Sequence, residues 1–260
     1  MFLSSLLAIF RKEFLSYFAS PFAYVIGAVF WLISGLFFGL FLDNVIQNAE
    51  FNRQAGMNTP IDVATEFLGS YLGVIIFLLL VLLPALSMGL YAEERKRGTL
   101  ELLATSPVTN WGVALGKLLG VFTFFTVLMV PLWIYQAVIF SAADPPFPIP
   151  LILSANGAVL LVAASILSLG MFISSLTDSV IIAYILTFVG VFALWIVDVF
   201  ARRVGGTAGD ILASLSLFQP YNDLVSGVVK TPALVLFASY IFLGVFLTAQ
   251  SIEALRFQRA

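Results

Sequence analysis

The chain contains no cysteine and no histidine. Disulfides, thiol nucleophiles, imidazole general bases and the usual zinc sites are thereby excluded. Charge is scarce as well: 10% of the 260 residues are charged, against roughly 25% in a soluble globular domain. The net charge of −2 is too small to draw a polyanion, so no nucleic-acid partner is expected. No carboxylates cluster in the manner of a metal site. Hydrocarbon takes the place of charge, with 61% of residues hydrophobic and 15% aromatic, the composition of a membrane protein. The length accommodates one polytopic bundle and no sizeable soluble domain.

A spanning helix needs about 20 mostly apolar residues. Six stretches meet this requirement, at 22–42, 68–91, 111–140, 151–175, 179–200 and 232–250. The expected fold class is therefore all-α, a single polytopic membrane domain over 1–260 with six transmembrane helices. Only Leu176-Thr177-Asp178 divides the fourth span from the fifth. A tight turn is required there, because one helix of about 50 residues would exceed any bilayer. The third span is about 45 Å long against a hydrocarbon core of about 30 Å, so its first two turns, with Lys117, are expected to project beyond the membrane. The second span is expected to continue as helix into Glu93–Arg97. Between the last two spans, 201–231 reads as irregular, with Gly205-Gly206, Gly209 and Gln219-Pro220-Tyr221-Asn222-Asp223. Its apolar stretch, 211–218, is too short to span and reads as a re-entrant or interfacial outer helix.

At the N-terminus, residues 2–19 form an amphipathic pattern. Leu3, Leu6, Leu7, Phe10, Phe14, Tyr17 and Phe18 share one helical face, and Ser4, Ser5, Arg11, Lys12 and Ser16 lie opposite. The apolar run precedes the basic residues, which is the reverse of a secretory signal. A helix in the membrane interface, with Arg11 and Lys12 toward water, is the expectation. Basic residues then orient the bundle: with the N-terminus inside, eight lie on the cytoplasmic side and four, Arg53, Arg202, Arg203 and Lys230, lie outside. Both termini are expected in the cytoplasm.

The densest charge falls in the loop 92–110. On a helix Glu93 pairs with Arg97 at i,i+4 and Glu94 reaches Arg97 at i,i+3. Gly98 breaks that helix, Thr99 is placed to cap another, and Glu101 falls in its first turn, where the dipole favours an acid. Leu100, Leu102, Leu103 and Ala104 give this short helix an apolar surface; Ser106-Pro107 ends it, and Thr109 or Asn110 caps the third span. Exposed leucines rimmed by charge are how protein-docking surfaces are built. The alternative is that the basic residues only set topology and the leucines rest on lipid headgroups. Gly112–Lys117 superficially resembles a phosphate-binding loop, but it has three residues between its glycines where four are needed, and a leucine follows the lysine. No nucleotide is expected there.

Other candidates are weaker. Asp198, four residues before Arg202, reads as an interfacial ion pair ahead of a functional intramembrane acid. Asp178 reads equally as the cap of the fifth span or as a partner contact. The small residues of the fourth span, including Ser165, Ser168, Gly170, Ser174 and Ser175, favour close helix packing over a polar substrate lining. Pro84 and Pro131 are expected to kink their helices.

The string Glu94-Arg95-Lys96-Arg97-Gly98-Thr99-Leu100-Glu101-Leu102-Leu103-Ala104-Thr105-Ser106-Pro107, followed by Trp111 and Gly116-Lys117, resembles the hallmark of ABC-type-2 transporter permeases. The likeness extends to the N-terminal segment, the six spans and Ile173–Asp178, and within the family it is closest to the permease subunit of the gliding-motility-associated ABC system. The resemblance implies an elbow helix at 2–19 and a coupling helix docked on an ATPase through Glu93, Glu94, Arg95, Arg97, Gly98, Thr99, Leu100, Glu101, Leu102, Leu103 and Pro107. It implies a secondary ATPase contact at Leu176, Thr177 and Asp178. The implied assembly has two cytoplasmic ATPase subunits, which bind ATP and Mg, and a second permease subunit, identical or related. This chain itself would bind no cofactor and do no covalent chemistry. It would sit in the bacterial inner membrane and drive export or mechanical work on an extracytoplasmic partner. The competing expectation is a membrane anchor or assembly factor that recruits a cytoplasmic protein and moves nothing.

Overall fold

Where apolar residues run unbroken, backbone groups without water must be satisfied inside each segment, and helices result. The structure is a computed structural model that describes residues 2–55, 63–99, 109–143, 148–204 and 216–257. Its helices are α1 (Phe2–Ala19), α2 (Pro21–Gln54), α3 (Val63–Ser87), α4 (Gly89–Lys96), α5 (Asn110–Ser141), α6 (Ile149–Leu176), α7 (Val180–Val204), α8 (Phe218–Val225) and α9 (Thr231–Phe257). No strand occurs among the described residues. Six segments are long and apolar enough to cross a membrane: Pro21–Asn52, Ala64–Lys96, Asn110–Ser141, Ile149–Leu176, Val180–Ala201 and Thr231–Ala254. The expected all-α, six-span architecture is what forms.

Helix α6 is the centre of the bundle. It packs against α3, α4, α5, α7, α8 and α9, and its small residues allow the neighbours in close. Ser168 Oγ, which donates to Ser165 O at 2.8 Å, also lies 3.3 Å from Tyr240 O of α9, and a Cβ on Gly244 would lie 2.6 Å from the Ser168 backbone. These residues serve packing, the favoured reading of the sequence. Helices α2 and α7 are peripheral and turn apolar faces outward, including Leu32 and Leu36 on α2 and Ile181 and Ile185 on α7.

Two segments differ from expectation. Helix α2 runs to Gln54, well beyond the apolar stretch that ends at 42. Hydropathy marks the end of hydrocarbon and not the end of the helix, and no glycine or proline interrupts residues 43–54. The segment Gln219–Asp223, read as irregular, is inside α8. Pro220 is tolerated because it sits in the first turn, where its missing N–H has no helical partner to lose. The two preceding donors are satisfied together: Phe218 N and Gln219 N both donate to Ser216 Oγ, at 3.1 and 3.3 Å. Ser216 Oγ in turn donates to the buried Asp198 at 2.7 Å, and Tyr221 Oη donates to Leu72 O at 2.8 Å. Asp198 thus ties α8 to α7. The expected partner Arg202 has its side chain outside the described residues, as do the apolar residues 211–215.

α6 ends at Leu176 and α7 begins at Val180, so the tight turn is present. Asp178 is exposed and does not cap α7; the contact there is Ile182 N to Ser179 Oγ, 3.5 Å. Thr109 caps α5 by accepting from Gly112 N at 3.2 Å.

Candidate functional site

The second span is helical into the charged segment, as expected, with a break at Met88 four residues after Pro84. Past the break, α4 carries Glu93, Glu94, Arg95 and Lys96. It closes in a Schellman turn: Thr99 N donates to Glu94 O at 3.0 Å, Gly98 N donates to Arg95 O at 3.1 Å, and Gly98 has φ +70°. That conformation is easy for glycine and costly for other residues. The Thr99 hydroxyl also donates back to Glu94 O, 3.2 Å, and so finishes α4. Its expected role as cap of a following helix falls on residues outside those described. Leu100, Glu101, Leu102, Leu103 and Pro107 lie outside the described residues.

The charges of α4 point three ways. Glu93 and Arg97 form the expected i,i+4 pair at 3.5 Å, exposed to solvent. Glu94 does not join Arg97. Its Oε1 lies 3.0 Å from Lys117 Nζ and 3.3 Å from Lys12 Nζ. A buried cation offers a far stronger field than an exposed guanidinium one turn away. Arg95 Nη1 turns the other way and donates to Ser175 O at the end of α6, 2.9 Å.

Lys117 is the centre of the site. The length of its helix predicts that it lies beyond the membrane; within the fold it is 2% exposed. Nζ donates to Leu90 O at 2.7 Å, lies 3.2 Å from Glu13 Oε2, and sits 4.9 Å above the Tyr91 ring. Three helices are thereby joined by one cation: α1 through Glu13, α4 through Glu94, and α5 through Lys117 itself. No role for Glu13 was expected from the sequence pattern. Its signal was the outward Lys12 beside it, since an acid next in sequence must face about a third of the way round the helix.

Helix α1 reaches the cation because it follows α5 closely. Glu13 meets Gly120, where an added Cβ would be 2.7 Å from Glu13 Cβ, and Tyr17 stacks on Phe124 at 4.8 Å. Contacts that advance four residues on each helix mean that the two run side by side in the same direction. Arg11 and Lys12 are exposed, while Leu3, Leu7 and Leu15 point away from the bundle. Tyr17 Oη donates to Leu86 O at 2.7 Å. Burial first, then the charges of Glu13 and Glu93, push the Tyr17 phenol well above its ordinary pKa. The neutral donor is thus favoured in the fold, and stability linked to it is complete below pH about 10 and declines as pH rises above that value. Tyr17→Phe is expected to cost about 1 kcal/mol and to flatten the alkaline limb of a thermal-stability profile.

Lys12, Glu13, Glu93, Glu94, Arg97, Thr99 and Lys117 line a polar cleft of about 600 Å³ at this end of the bundle. Leu176 and Asp178, in the neighbouring turn, are exposed, and Thr177 is half-buried. Among the described residues no group of His, Cys, Asp and Glu is arranged to hold a metal ion.

Fold and site define a multi-pass helical membrane protein with its densest charge cluster at one end, around the root of an interhelical loop. The chain belongs to the ABC-2 type transporter family, which matches residues 4–201. Membrane domains of this family are generally non-catalytic permease subunits of ABC transporters that work with a cytoplasmic ABC ATPase. The match is to the family as a whole and does not reach the gliding-motility branch. No curated protein matches the sequence.

Proposed function

We propose that this chain is the permease subunit that converts ATP hydrolysis by a separate ATPase into movement of the bundle, through the loop that follows α4. The observation that carries this reading is the attachment of α4. Its exposed end, Glu93 to Thr99, leads directly into the loop, while its inner face is fixed by Glu94 to Lys117 and by Arg95 to Ser175. A push on the loop is then delivered to α1, α5 and α6 together. Two ATPase subunits would bind ATP and Mg, dock on Leu100, Leu102 and Leu103, and receive Leu176–Asp178 as a second contact. The bundle is a two-state element biased by nucleotide occupancy. Pairing with a second permease, identical or related, completes the pathway, with both termini and the loop in the cytoplasm of a bacterial inner membrane. The outcome is export or mechanical work on an extracytoplasmic partner.

Charge reversal at Glu101 tests this reading. Glu101→Lys is expected to lower stimulated ATPase activity of the purified assembly at least tenfold, with the melting temperature of the permease unchanged. If the native chain co-purifies with a soluble protein that does not hydrolyse ATP, the permease reading fails and a membrane anchor takes its place.

A further inference from the structure

The start of a helix leaves four backbone N–H groups without helical partners, and burial makes that costly. Helix α4 begins at Gly89 inside the bundle, and Leu90, Tyr91 and Ala92 are all buried. One of its orphan donors, Tyr91 N, and the N–H that follows it find the same atom on another helix. Tyr91 N and Ala92 N donate to Ser174 Oγ at 3.1 and 3.0 Å, and Ser174 Oγ donates to Met88 O at 2.7 Å. Ser174 is fully buried. One hydroxyl from α6 therefore fills the break between α3 and α4, using both its donor and its acceptor capacity. One residue on, Ser175 O accepts from Arg95. Two residues beyond Ser175 the chain turns through Thr177 and Asp178.

We infer that Ser174 is a positioning residue that makes α4 and the C-terminal end of α6 one rigid body, so that the loop after α4 and the 177–179 turn move together. The inference rests on the proposed coupling role for its purpose and stands on geometry for its content. A break next to Pro84 is a place where a helix hinges. Ser174 limits that freedom by holding the backbone at the break itself, Met88 O, and just past it, Tyr91 N and Ala92 N. Arg95 adds a second fixing point a turn later, and two points define a direction where one leaves a pivot. The consequence for a partner that touches both turns is that neither contact moves without the other.

The absence of cysteine makes the test direct. Spin labels at Lys96→Cys and Asp178→Cys, both exposed positions, report the distance between the two turns. In the permease alone, held in lipid nanodiscs, a single narrow distance distribution is expected. Ser174→Ala removes the hydroxyl and is expected to shift that distribution or at least double its width. Arg95→Gln, which leaves the buried Ser174 contacts intact, is expected to widen it by a smaller factor. Ser175→Ala is the control, since its own hydroxyl bonds within α6 to Phe172 O; it should leave the distribution unchanged. A Ser174→Ala distribution as narrow and as centred as the native one overturns the inference. So does a native distance that changes when ATP binds to the assembled complex. Loss of ATPase binding alone counts against the coupling role and leaves the nanodisc comparison to decide the rigid body.

Discussion

Lys117→Met is expected to destabilise the bundle by about 3–5 kcal/mol, because it leaves Glu13 and Glu94 buried with their shared counter-charge gone. The lysine side chain is 3% exposed and its partners 13% and 15%, so solvent does little to screen the loss. Lys12 touches only Glu94, from the solvent side, and is 70% exposed. It cannot take over. The informative comparison is the triple variant Lys117→Met, Glu13→Leu, Glu94→Leu. Replacing an entire buried ion cluster with hydrocarbon is often neutral or even stabilising. Thermal unfolding in mild detergent should therefore place the triple variant near the native chain and the single variant far below it. ATPase stimulation should be lost in both. A triple variant that is stable and fully active would show that the cluster only holds the bundle together.

Gly244→Leu is the second large effect. The residue is on α9 where that helix crosses α6, and even a Cβ would meet the Ser168 carbonyl carbon and oxygen at 2.6 Å. These are backbone atoms of a buried helix and cannot turn aside as a flexible side chain would. Helices α6 and α9 must separate, and Ser168 loses its contact with Tyr240 O. Overpacking of this kind costs typically 1–3 kcal/mol and sometimes more. Expression of monodisperse protein is expected to collapse for Gly244→Leu. Gly35→Leu serves as the matched control on a membrane helix, since a Cβ there meets nothing within 4 Å. Equal yields of the two variants would refute the tight crossing.

The six spans were legible because the bilayer demands long apolar runs, and hydropathy alone reports them. Thr109 as a candidate cap was legible because local chemistry decides it, and the turn at 177 because one unbroken helix would outrun the bilayer. The charged hub was not. Glu94 was assigned to Arg97 by the rule that neighbours on a helix face pair, and that rule knows nothing of Lys117, which is 23 residues away, or of Glu13, which is farther still. Lys117 itself was placed beyond the membrane because its helix is longer than a bilayer, an argument about depth that says nothing of what covers the side chain. In the fold, α1 lies over that overhang and buries it. Long-range burial thus overrode the local pairing of Glu94 with Arg97. Ser174 had been read only as a small packing residue. Its hydroxyl acquires a specific task because the break in another helix arrives beside it.

The hub also has a history within each molecule. Glu13 leaves the ribosome about a hundred residues before Lys117, and Glu94 precedes its cation by more than twenty. Until Lys117 is made, α1 carries its acid without the cation it pairs with in the fold. Glu94 in the meantime has only Lys12, a partner on the solvent side. The shared contact that joins α1, α4 and α5 is therefore complete only once the third span exists.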